Sequence, residues 1–221
     1  MVDYATEEEQ VEALKRWWRE NGKSIIAGAA LGILALVGWR GWTWHEQTQA
    51  LEASALYDQV SARMRDGDRD QVVAAAEQLR EDYGSTTYAA LGALAAARAA
   101  VDAGDTDAAA DWLRWAMERS GDAELEYLAR ARLARVEAAN ARVDEGLALL
   151  DVDPPAAWAG LYGEIRGDLL TENGDPEAAA EAYRDALDAE VPPPDPAAVQ
   201  RKLNEVQAAE ADRGGDGEEA S

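Results

Sequence analysis

Carboxylates are the one chemically active group this 221-residue chain has in quantity: 44 Asp+Glu against 21 Lys+Arg, with one histidine and no cysteine. Without cysteine there is no thiolate metal site, no cysteine nucleophile, no disulfide and no lipidated cysteine. The histidine, His45, follows Trp42 and Trp44. A metal site needs several matched ligands, so a solvated side chain is the simpler reading. No histidine follows it, so no Ser/His/Asp set can form beyond that point. Gly214-Gly215 lacks the strand-to-helix setting of a phosphate loop. Acidic pairs such as Glu118 and Asp122 are so common here that they read as a solvated face. The expectation is a non-enzyme with no cofactor and no metal.

The net charge of −23 argues against a nucleic-acid binder, because phosphate recognition needs an excess of Lys and Arg. From Glu46 onward, 16 Lys+Arg stand against 38 Asp+Glu, which leaves −22 on that part alone. Long-range charge would draw a basic partner. The scarcity of lysine (Lys15, Lys23 and Lys202) and the even spread of acids instead resemble adaptation to a salty environment, where self-repulsion is screened.

Ser24 to Trp39 contains no charged residue. Extended to Trp44, the stretch reaches the ~20 residues needed to cross a bilayer core. Trp17 and Trp18 lie on one side and Trp39, Trp42 and Trp44 on the other, the pattern of interfacial aromatic belts. Lys15, Arg16, Arg19 and Lys23 precede the span, whereas after Arg40 the next basic side chain is Arg63. The positive-inside rule then predicts a cytoplasmic N-terminus and a periplasmic bulk. The nearest small-x-small cleavage pattern, Ala53-Ser54-Ala55, lies too deep for a signal peptidase, so the span is expected to stay as an anchor. Gly28 and Gly32 form a small-xxx-small pair, which suits close helix contact but is also common in membrane helices.

The elements after the anchor read as a helical repeat array. Ala and Leu dominate, and Val, Ile and Thr never run together long enough for a strand. Around Gly174-Asp175, Gly167 precedes the turn while Ala179, Tyr183 and Ala186 follow it. Gly104-Asp105 repeats the scheme with Ala97, Ala109, Leu113 and Ala116. A blurred copy has Ala134, Gly146 and Leu150 about a turn at Ala141-Arg142-Val143-Asp144. The period straddles the ~34 residues of tetratricopeptide repeats, so the fold class is all-α: one transmembrane helix, then a tetratricopeptide-like solenoid. A weaker first hairpin turns at Gly67-Asp68, and Trp112, Trp115, Trp158 and Tyr183 are expected in the core. The Val191–Pro196 run ends the last repeat, and Ala197 to Ala211 form a closing helix. The expected boundaries are 1–23 cytoplasmic, 24–44 transmembrane, 45–211 the periplasmic repeat domain and 212–221 a disordered acidic tail.

In such arrays the first helix of each repeat lines a concave face. Here that gives Leu94, Arg98 and Val101, then Ala131, Arg135 and Ala138, then Glu164, Asp168 and Thr171. Arg98 and Arg135 stand out in an acidic domain. They either meet a partner's carboxylates or pair with neighbours for solubility.

Gln10 to Lys23 (QVEALKRWWRENGK), followed by a Gly-rich span ending Gly38-Trp39-Arg40-Gly41-Trp42, resembles the start of the YfgM family, the ancillary subunit of the SecYEG translocon. The likeness continues through Ala131–Val136, Trp158-Ala159 and Arg166-Gly167-Asp168 to Gly174-Asp175. It implies an inner-membrane helper that associates with SecYEG and with the membrane-anchored chaperone PpiD, and that assists newly exported client proteins. The same architecture would also serve an envelope scaffold or a regulatory adaptor. This chain departs from the family in its acidity and its extended acidic tail.

Overall fold

The computed structural model describes residues 7–218. Positions 1–6 of the expected cytoplasmic segment and 219–221 of the expected acidic tail lie outside the described residues. All elements within that range are helices: α1 (Glu7–Asp66), α2 (Arg69–Asp82), α3 (Thr87–Ala103), α4 (Thr106–Arg119), α5 (Ala123–Ala139), α6 (Val143–Leu149), α7 (Ala156–Glu172), α8 (Pro176–Asp188) and α9 (Pro196–Glu218). Residues 1–49 and 50–221 form two compact units.

In the first unit, α1 is the one helix among the described residues long and apolar enough to cross a membrane. Its Ile26, Leu31, Ile33, Leu34, Leu36 and Val37 are all exposed, so their apolar surface is left uncovered by protein. An exposed contiguous apolar helix surface suits lipid rather than water. Gly28 and Gly32 sit one turn apart on this bare surface with open space around them.

In the second unit, Gly-Asp pairs divide a helix-forming sequence into hairpins. Gly67, Gly104 and Gly174 each adopt a left-handed φ of 74°, 80° and 79°. That conformation costs glycine nothing sterically and ends the preceding helix. The following aspartate then caps the next helix: Asp68, Asp105 and Asp175 accept from the backbone N–H of Gln71, Ala108 and Ala178 at 3.2, 3.0 and 3.1 Å.

Small residues let the paired helices approach closely. A Cβ on Gly146 would lie 2.7 Å from the Ala134 carbonyl oxygen, and one on Gly167 would collide with the Tyr183 ring. Ala97, Ala109, Leu113 and Ala116 are buried together between α3 and α4. Trp112 and Tyr183 are core residues as the sequence predicts, whereas Trp115 and Trp158 are half-buried at its margin. The first hairpin buries Ala53, Leu56 and Val60 of α1 against Val72 and Leu79 of α2 and Ala95 of α3. At the other end Val199, Leu203 and Val206 of α9 close over Ala179, Tyr183 and Ala186. α9 runs to Glu218, past Ala211, where the sequence reading ends the closing helix and begins the disordered tail. Once a helix is nucleated, each further residue adds one hydrogen bond, so Gly214 and Gly215 weaken the extension without stopping it.

Candidate partner-binding site

Leu91, Leu94, Arg98 and Val101 follow one another on α3 at intervals of three and four, which puts them on one face. Leu128, Arg132 and Arg135 do the same on α5. Together with Val136 they line a groove of about 650 Å³. That volume lies within the ~300–1,000 Å³ typical of ligand clefts. The groove's apolar lining comes chiefly from Leu91, Leu94 and Val101 of α3 and Leu128 and Val136 of α5, with Tyr57 and Met64 of α1 and Leu113 of α4 completing it. Its cations are Arg98, Arg132 and Arg135.

The three arginines differ in their partners. Arg98 donates from Nε to both carboxylate oxygens of Asp102, at 2.9 and 3.0 Å, which holds its guanidinium above the ordinary arginine pKa. Arg135 is exposed and has neither a side-chain hydrogen bond nor an ion pair among the described residues. Arg132 has no acid against it either. Although it keeps contact with solvent, loss of hydration along the groove pulls its pKa below the ordinary value, and the like charge of Arg98 adds to this. A smaller hollow of about 150 Å³ adjoins at Arg98 and brings in Arg63 and Arg69. In a domain with more than twice as many acids as bases, this face concentrates the minority charge.

The residues expected on the concave face thus divide. Leu94, Arg98, Val101 and Arg135 meet in one groove, whereas Ala131 and Ala138 are buried in the core. Glu164 and Asp168 lie elsewhere, held by Lys202 of α9. Its Nζ donates to Glu164 Oε1 at 2.9 Å and to the two Asp168 oxygens at 2.7 and 2.9 Å. Tyr183 donates its hydroxyl to Asp168 at 2.8 Å. Desolvation lowers the Lys202 pKa, but the hydrogen bonds and charges of Asp168 and Glu164 outweigh it and raise the pKa overall. Burial raises that of Tyr183. The closing helix therefore uses this part of the last concave face as packing surface. Thr171 donates to the Gly167 carbonyl and adds nothing to the groove.

Sequence reasoning missed Arg132, although the i, i+4, i+7 row Leu128–Arg132–Arg135 would have shown it. It also missed Glu137, a buried carboxylate that accepts from Arg114 at 2.8 Å and from Arg142 at 2.5 Å.

Residues 15–208 match a family model described as a tetratricopeptide repeat-like domain. The chain is 33% identical over 206 residues to the ancillary SecYEG translocon subunit of Escherichia coli, an alignment covering 93% of this chain and 99% of that protein. The chain belongs to this family. The ancillary SecYEG translocon subunits of Haemophilus influenzae and Neisseria gonorrhoeae are 32% and 28% identical, over 83% and 85% of this chain and 90% of each relative. Repeat-like helices, a candidate membrane span and this membership agree with one another. The residues that line the groove fall within the matched region.

Proposed function

We propose that this protein is a membrane-anchored accessory of the SecYEG translocon that receives newly exported chains and helps pass them to a periplasmic chaperone. The basic residues Lys15, Arg16, Arg19 and Lys23 ahead of the apolar stretch support a cytoplasmic N-terminus and a periplasmic repeat domain. The relatives' shared name supports the translocon, and the resemblance to the YfgM family supports PpiD as the chaperone. The observation that carries the reading is the open groove between α3 and α5. It is a ready-made contact surface, whereas the comparable face of α7 is used up by α9. On this reading the groove holds a segment of the exported chain or of the chaperone, and Gly28 and Gly32 are available for contact with a translocon helix.

The test is a photoreactive amino acid at Val101 in cells, with adducts identified from native membranes. The expected adducts are exported proteins and a periplasmic chaperone, with translocon subunits captured from a second probe at Gly28. Adducts restricted to cell-wall or division proteins at both probes would replace the translocon role with an envelope scaffold.

A further inference from the structure

We infer that the occupant of the groove is an acidic amphipathic helix, with one apolar face and carboxylates beside it, even though the domain as a whole is strongly acidic. This rests on the reading above that the groove holds a partner segment, and it specifies that segment's chemistry. Three observations carry it. Rows at intervals of three and four residues on α3 and α5 mix apolar side chains with arginine, with Tyr57 and Met64 of α1 and Leu113 of α4 completing the lining, and a further helix interdigitates with rows of that spacing. The groove's 650 Å³ has room for several side chains from one face of a helix, not for a folded domain. The decisive one is charge complementarity. Among the described residues, Arg132 and Arg135 line the groove with no carboxylate against them, and Arg63 and Arg69 of the adjoining hollow, which also holds Asp102, have no ion pair.

Arg114, Arg130, Arg142 and Lys202 show what this domain does with cations that serve the fold: each has an acid at 3.2 Å or less. Exposed arginines away from the groove, such as Arg184 and Arg201, also lack an ion pair among the described residues, so what sets Arg132 and Arg135 apart is their place beside Arg98 on an uncovered apolar lining. A guanidinium partly stripped of water gains more from an incoming carboxylate than a fully hydrated one does. The net charge of −22 would repel an acidic segment at long range, but at physiological ionic strength the Debye length is about 8 Å. Within the groove the nearest charges then decide, and those are Arg98, already paired with Asp102, and Arg132 and Arg135.

The experiment uses the intact protein in nanodiscs at about 0.15 M salt, a near-physiological ionic strength. Three fluorescein-labelled helical peptides share one Leu face and carry Glu, Gln or Lys beside it. Anisotropy should show the Glu peptide binding about tenfold tighter than the Gln peptide, with the Lys peptide weakest. The double variant Arg132→Gln with Arg135→Gln should remove that preference and leave the Gln peptide's affinity unchanged. Arg184→Gln with Arg201→Gln, exposed and away from the groove, should preserve it. Equal affinity for the Glu and Gln peptides, or strongest binding by the Lys peptide, overturns the inference. So does a Glu preference that survives in the groove variant. Circular dichroism confirms that each variant is folded. Failure here with intact Val101 adducts would reject the acidic ligand but keep the groove as the contact. Loss of those adducts would reject the groove itself.

Discussion

The groove between α3 and α5 and the closure of α7 by α9 place similar ingredients side by side with opposite results. Both set cations beside the first helix of a repeat, the groove with arginines of α3 and α5 themselves and the closure with Lys202 of α9 against α7. In the closure, Lys202 has Glu164 and Asp168, Asp168 has Tyr183, and the ring of Tyr183 fills the space that Gly167 leaves. In the groove, Arg132 and Arg135 have no acid against them among the described residues, and the apolar lining is open. The groove differs from the closure in gathering Arg98, Arg132 and Arg135 on an apolar lining that no later helix covers.

The sharpest way to break the comparison is on the closed side. Gly167→Ala drives a methyl into the Tyr183 ring and should cost about 1–3 kcal/mol in urea denaturation, the range for overpacking a well-filled site. A variant as stable as the wild type would show that the closure is loose. Next in size, Lys202→Met leaves two partly buried carboxylates without their cation. The loss should be roughly 1–2 kcal/mol, between exposed and fully buried pairs. The pH dependence has a definite sign. Because the folded-state Lys202 pKa is raised, its contribution is full below the unfolded value of 10.5 and is lost as pH rises through the folded value. The Lys202→Met variant should therefore show a shallower fall in Tm on the alkaline side.

A third change sharpens the account of the turns. Ala141 holds a left-handed φ of 58°, and Arg142, the residue ahead of α6, gives that helix no side-chain cap. Ala141→Gly should raise stability by about 0.5–1 kcal/mol, since glycine accepts that conformation without strain. The smallest stability effect belongs to the groove. Arg132→Gln with Arg135→Gln should shift unfolding by no more than about 0.5 kcal/mol, as expected for surface residues without partners. A larger loss would make these arginines structural after all.

These expectations also show what was legible in the residues. The Gly-Asp turns at 67, 104 and 174 were plain, because a left-handed glycine followed by a capping aspartate is local chemistry. The crossing residues Ala134 with Gly146, and Gly167 with Tyr183, followed from repeat spacing. The blurred third turn hid a different solution: Glu137, buried between Arg114 and Arg142, ties the end of α5 to α4 and to the start of α6. No spacing rule announces that network, because its members come together only when the helices pack. Glu164 and Asp168 were misplaced for a similar reason. Their repeat positions are equivalent to those of the groove, but Lys202 arrives 34 residues further along the chain on a helix that is not part of a repeat. Equivalence by register says which face a residue shares, not what later covers that face.

On the proposed reading, the arginines of the groove rather than the overall charge hold the partner segment. Arg132→Glu with Arg135→Glu, compared with Arg184→Glu with Arg201→Glu, tests it directly, because each pair changes the net charge equally. The measurement is the amount of periplasmic chaperone co-isolated with the intact, tagged protein from native membranes, with helix content checked by circular dichroism. The account predicts at least a tenfold loss for the groove pair and near wild-type recovery for the other. Equal recovery from both, or equal loss from both, would contradict it.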